Sequence, residues 1–169
     1  MTFSTPSLQR YSHYRDQILS VRRNYHPTKG WAPNKPIFIL SLITYFDRFE
    51  PISNEIIPID LYSIFVDQWS LLTDKKWKPR NFTYPAFHLQ SDGFWFLLDK
   101  QGKRPSQVVS KKKFDEGVFV GKLAPELFQL LTDPSIRQVL RLELLEAFFP
   151  SREKSYLNAS FEFNAETSA

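Results

Sequence analysis

The sequence predicts an α+β fold, mainly α, with about five helices around a small antiparallel β-hairpin or sheet. Three observations predict it. Apolar residues recur at helical spacing in three stretches, 36–49, 60–72 and 134–149, as in helices buried along one stripe. One segment, 86–99, instead places short apolar runs on both sides of Asp92-Gly93, the pattern of a tight β-hairpin. Finally, 42% hydrophobic and 24% charged residues with only five glycines in 169 fit one globular domain. That composition is poor for a phosphate-loop or dinucleotide fold, and no GxGxxG or GxxxxGK[ST] string occurs.

Each element has its own local signal. Thr5-Pro6 offers a capping residue and a proline at the first helical position, so a helix is expected over 6–24. Residues 25–36, with three prolines and one glycine, read as a loop. Pro36 then starts a second helix to about Phe49. Phe38, Leu42, Tyr45, Phe46 and Phe49 form one stripe, and Ile37, Leu40 and Ile43 fill the other side. A helix apolar nearly all round belongs in the core. Residues 56–59 read as a short extended approach to a third helix, capped by Asp60 and running to Leu72 with Leu61, Ile64, Phe65, Trp69 and Leu72 inward. After the hairpin over 86–99, Val118–Val120 can add a short strand. Two helices follow, Pro125–Leu131 and Pro134–Phe149, the second capped by Asp133 and stopped by Pro150. Residues 1–150 are thus expected to form a single domain, with 151–169 a polar tail.

Charge narrows the function. The net +4 is unevenly spread: residues 1–74 balance to zero, and 114–169 sum to −4. Residues 75–113 hold ten basic side chains against Asp92 and Asp99, a local +8 interleaved with Trp77, Phe82, Tyr84, Phe87, Phe94 and Trp95. Basic groups among aromatics point to a polyanion, although a solvated lysine loop has the same composition. The absence of cysteine excludes disulfides, thiol nucleophiles and Cys-type zinc sites. The longest apolar run is too short for a membrane span, and the N-terminus has no signal-peptide core, so a cytoplasmic protein is expected.

No catalytic site, metal or cofactor is expected. The nearest nuclease-like pattern is Asp60 followed by Asp74-Lys75-Lys76, a carboxylate and then D-x-K, which arises often by chance. His13, His26 and His88 are the only histidines, too few and too scattered for an HNH site, and no nucleophile elbow is present.

Two strings say more: Ala32-Pro33-Asn34-Lys35-Pro36-Ile37-Phe38-Ile39-Leu40 and Tyr84-Pro85-Ala86-Phe87-His88-Leu89-Gln90-Ser91-Asp92-Gly93-Phe94-Trp95. At these residues, and in the closing stretch Leu123–Pro134, the sequence resembles the sulfur-binding, phosphorothioated-DNA-binding domain of McrA-type HNH restriction endonucleases. The resemblance covers roughly residues 10–150. It implies a recognition module for double-stranded, phosphorothioate-modified DNA in a bacterial, modification-dependent restriction system. Family members usually carry their HNH endonuclease domain in the same polypeptide, so the cutting would be done in cis or in trans by another unit.

The resemblance also implies a site. Tyr84, Pro85 and Ala86 would form an apolar sulfur pocket that Asn34 and Lys35 close, with the Lys35 ammonium on the phosphate. Asn34 departs from the histidine found in many members. His88 would donate to a backbone phosphate or face the core from a strand. Candidate phosphate contacts are Lys76, Lys78, Arg80, Lys103 and Arg104, and candidate base readers are Arg80, Asn81 and Gln90. Taken without the resemblance, Asn34-Lys35-Pro36 is a helix start, Tyr84-Pro85 is a loop-to-strand corner, and Phe94, Trp95 and Phe96 are core. Three other functions compete: a general DNA or RNA binder using 75–113, a metal-dependent nuclease using Asp60 and Asp74, and a protein-interaction module.

Overall fold

In the computed structural model, which describes residues 5–74 and 82–159, helix α2 (Asn34–Phe49) forms the spine. Pro36 to Ile43 are buried without a break, followed by Tyr45 and Phe46, so this helix has no solvated face over its first half. Helix α1 (Thr5–Leu19) precedes it, and a small hairpin, β1 (Tyr25–His26) and β2 (Gly30–Trp31), lies between the two. Helices α3 (Asp60–Leu72), α4 (Thr83–His88) and α7 (Pro134–Phe148) pack around α2. Helix α6 (Pro125–Leu131) joins α1 to α7, and α5 (Lys111–Asp115) completes the set before residue 150.

The second sheet pairs β3 (Trp95–Leu98) antiparallel with β4 (Val120–Leu123), in the register Trp95 with Leu123 and Leu97 with Gly121. Ile56 bonds the far side of Gly121 through two backbone hydrogen bonds of 2.8 Å. Asn54 extends that edge, donating to the Leu123 carbonyl at 2.7 Å and accepting from its N–H at 2.9 Å. The expected extended segment 56–59 is therefore a single bridge into the sheet, and the expected strand at Val118–Val120 runs two to three residues later.

The main departure concerns 86–99. The structure has no hairpin with an Asp92-Gly93 turn. Residues Thr83–His88 are α4, and Leu89–Asp92 continue as a 3-10 turn. Buried Phe82, Ala86 and Leu89 repeat at i, i+4 and i+7, a helical period that the neighbouring apolar Phe87 and Leu89 disguised as alternation. Pro85 is compatible because it sits in the first turn, where its missing N–H has no partner to lose. Gly93 takes φ 90° and ψ 5°, so the Asp-Gly signal marks a left-handed helical C-cap rather than a hairpin.

Asp60 is the first residue inside α3, preceded by Ile59 with helical angles and no side-chain cap; its charge complements the helix dipole instead. Asp133 does cap α7, accepting from Ser135 N–H at 2.8 Å. Helix α1 stops at Leu19, five residues early. Residues 151–159 are anchored: 153–159 form a further helix, α8, and Tyr156 is buried. Two ion pairs on Asp47 tie α7 to α2. Arg137 on α7 donates to Asp47 on α2 at 2.7 Å and to the Leu131 carbonyl at 2.8 Å, with Arg141 on the other Asp47 oxygen. Among the described residues, no helix is long and apolar enough to cross a membrane.

Candidate nucleic-acid interface

Trp95 fixes the frame of the site. Its indole, fully buried, donates from Nε1 to the Ala86 carbonyl at 2.8 Å and stacks edge-on with Phe38 of α2, centroids 5.3 Å apart. Gln90 adds a second clamp, donating to the Phe87 carbonyl at 3.0 Å and accepting from Leu97 N–H at 3.1 Å. Helix α4 is thereby locked between α2 and β3. Its outer face presents Tyr84, 48% exposed, and His88, whose rings stack nearly parallel at 6.3 Å. The spacing i, i+4 puts both on one side of the helix.

Asp92 organises the other half. Its carboxylate, with only 6% of the side chain exposed, accepts from Lys35 Nζ at 2.6 Å and from Arg22 N–H at 3.0 Å. Its backbone carbonyl accepts from Gln17 at 2.8 Å. Lys35 lies in the first turn of α2, where no carboxylate and no side-chain cap satisfies the N–H groups. A 16-residue helix start of this kind attracts anions. Lys35 has three ammonium donors and Asp92 takes one, so donors remain for a second anion.

The sequence-derived candidates divide accordingly. Tyr84 and His88 share a face, and Lys35 and Asn34 stand half-buried at the start of α2. Pro85 and Ala86 do not line a surface: both are buried, Ala86 completely. Both help seat the helix against the core. His88 does not face the core from a strand; it is exposed on α4. The Gln90 amide makes one backbone bond at each end, so one N–H donor and one oxygen lone pair remain for a base. Lys103 and Arg104 are exposed on the loop after β3, with Arg104 over the Phe96 ring at 4.3 Å. Lys76, Lys78, Arg80 and Asn81 lie outside the described residues. Asp60 and Asp74 stand at opposite ends of α3, about 20 Å apart along a helix rising 1.5 Å per residue, too far to share a metal.

Sequence reasoning missed Asp92 as the partner of Lys35. Its signal was present, a lone acid inside the basic 75–113 segment, but the Asp-Gly turn pattern claimed it first. It also missed the β1–β2 hairpin, whose residues read only as loop.

Comparison with solved structures decides the fold. The chain aligns with the sulfur-binding domain of SprMcrA, solved in complex with phosphorothioated DNA, at a TM-score of 0.61 and 17% identity, covering 85% of this chain and 88% of that one. This is the sulfur-binding-domain fold. The sulfur-binding domain of ScoMcrA, also solved with phosphorothioated DNA, aligns at a TM-score of 0.57 and 16% identity over 80% and 87% of the two chains. No family model and no curated protein sequence matches. At this identity the shared fold reaches most of the chain while most side chains differ.

Proposed function

We propose that this chain is a DNA-recognition module that reads phosphorothioate-modified duplex DNA within a modification-dependent restriction system, the nuclease being fused to it or recruited separately. The observation that carries this reading is the fold shared over most of the chain with two domains solved on phosphorothioated DNA. The local chemistry supports it. Replacing a non-bridging phosphate oxygen by sulfur keeps the charge but gives a larger, softer atom that accepts hydrogen bonds poorly. Such an atom loses little on leaving water, whereas an oxygen placed against an apolar wall forfeits its hydration. The exposed Tyr84 face supplies that wall. Lys35 and the uncapped start of α2 receive the charge, Asn34 and His88 offer further donors, and Lys103 and Arg104 add phosphate contacts.

Titrating the protein with one duplex, with and without a single phosphorothioate, tests this directly. The modified duplex should bind at least about tenfold more tightly, a difference of about 1.4 kcal/mol. Tyr84→Ala should remove most of that preference while leaving weak binding to unmodified DNA. Equal affinity of the wild-type protein for both duplexes at physiological salt would refute the sulfur claim and leave general DNA binding.

A further inference from the structure

Residues 1–74 balance to zero charge, but no carboxylate lies between Asp16 and Asp47, and that window holds Arg22, Arg23, Lys29 and Lys35. The β1–β2 hairpin sits inside it. Tyr25 and Trp31 are cross-strand partners with rings 5.0 Å apart, and they remain 59% and 55% exposed. Gly30 at φ 86° turns the chain back, and Ala32 N–H closes the base on the Asn24 carbonyl at 2.7 Å. Arg23 holds the Trp31 ring from behind, its guanidinium 5.3 Å from that ring and 4.5 Å from Phe148. Burial between these rings lowers the Arg23 pKa from its usual value, in keeping with a structural rather than a solvated cation.

The hairpin is moored at both ends to one carboxylate. Arg22, just before it, and Lys35, just after it, both bond Asp92. Cross-strand packing accounts for the contact between the two rings. It does not account for two large aromatic side chains left mostly in water, in a stretch of sequence that holds four cations and no carboxylate.

We propose that this hairpin is a second DNA contact, gripping the duplex beside the modified phosphate, with Tyr25 and Trp31 packing on deoxyribose and base edges and the exposed Arg22 on a phosphate. The proposal rests on the DNA-reading function above and adds to it a contact blind to sulfur. Aromatic faces pack on nucleotides irrespective of sequence, and phosphate contacts add affinity without discrimination. The hairpin therefore supplies grip, and α4 supplies choice.

The experiment compares Trp31→Leu, Trp31→Phe and Tyr25→Leu with the wild type on the modified and unmodified duplexes, after thermal melting shows that each is folded. Trp31→Leu and Tyr25→Leu should each weaken both duplexes by about fivefold or more, leaving the ratio of the two affinities within about twofold of wild type. Trp31→Phe should recover most of the loss, because a ring is restored. Leucine variants that bind both duplexes like wild type would overturn the hairpin contact and leave the DNA-reading function standing. Loss confined to the modified duplex would also overturn it, by assigning the hairpin to the sulfur pocket, as would a loss that phenylalanine does not repair. A wild-type protein that binds neither duplex would instead defeat the DNA-reading function, and the hairpin contact with it.

Discussion

Lys35 cannot be judged by a single substitution. Its ammonium and the Asp92 carboxylate are both largely withdrawn from water, at 13% and 6% side-chain exposure. Removing the lysine would leave a buried carboxylate with one backbone donor, that of Arg22. Breaking such a pair costs about 3 kcal/mol, so Lys35→Ala should lower the melting temperature as well as DNA affinity. Lys35→Ala with Asp92→Asn should recover much of the stability, since the stranded charge is gone, but not the affinity. A double-mutant cycle read by both melting and binding separates the two roles. Should affinity return with stability, Lys35 would be a structural residue alone. The sequence pointed to Lys35 through its motif, and its partner escaped notice because Asp92 lies 57 positions away and doubled as a turn signal.

At the scale of elements, the site depends on how firmly α4 is held, and that depends on Trp95 lying flat against β4. Gly121 makes this possible. A Cβ there would stand 2.0 Å from the Trp95 ring, and the indole is fixed on its other edge by Ala86, so neither side can yield cheaply. Gly121→Ala should destabilise the fold by about 3 kcal/mol, at the upper end of overpacking costs. In whatever fraction remains folded, it should loosen α4, seen as faster amide exchange at 86–90. Unchanged exchange there would show that Trp95 moves without disturbing the helix. The long helices were legible in the sequence because their apolar periodicity is repeated over several turns: α2, α3 and α7 begin and end within about two residues of expectation. Helix α4 was not, because six residues make fewer than two turns, and a proline and an Asp-Gly pair imitate strand and turn. What decides there is tertiary: the hydrogen bond from Trp95 and the seat against α2, neither of which local pattern contains. The aromatic hairpin was hidden for the same reason, four paired residues being too short to carry a period.

Across the whole molecule, the protein's charge and its proposed selectivity come from separate sources, which fixes how each responds to salt. Binding to duplex DNA releases one condensed counterion for roughly each phosphate neutralised, so log affinity falls linearly with log salt. A phosphorothioate carries the same single negative charge as the phosphate it replaces. Both duplexes should therefore lose affinity with the same slope between 50 and 200 mM salt, about 0.9 log units of affinity per log unit of salt for each phosphate contact. Their ratio should stay constant. Removing one surface cation, as in Arg104→Ala, should reduce both slopes by about one unit, again without touching the ratio. Tyr84→Ala should do the reverse, collapsing the ratio and leaving the slopes unchanged. A discrimination ratio that shrinks steadily with salt would mean that the modified duplex is chosen by extra ionic contacts, and the apolar face of α4 would lose its part in the choice.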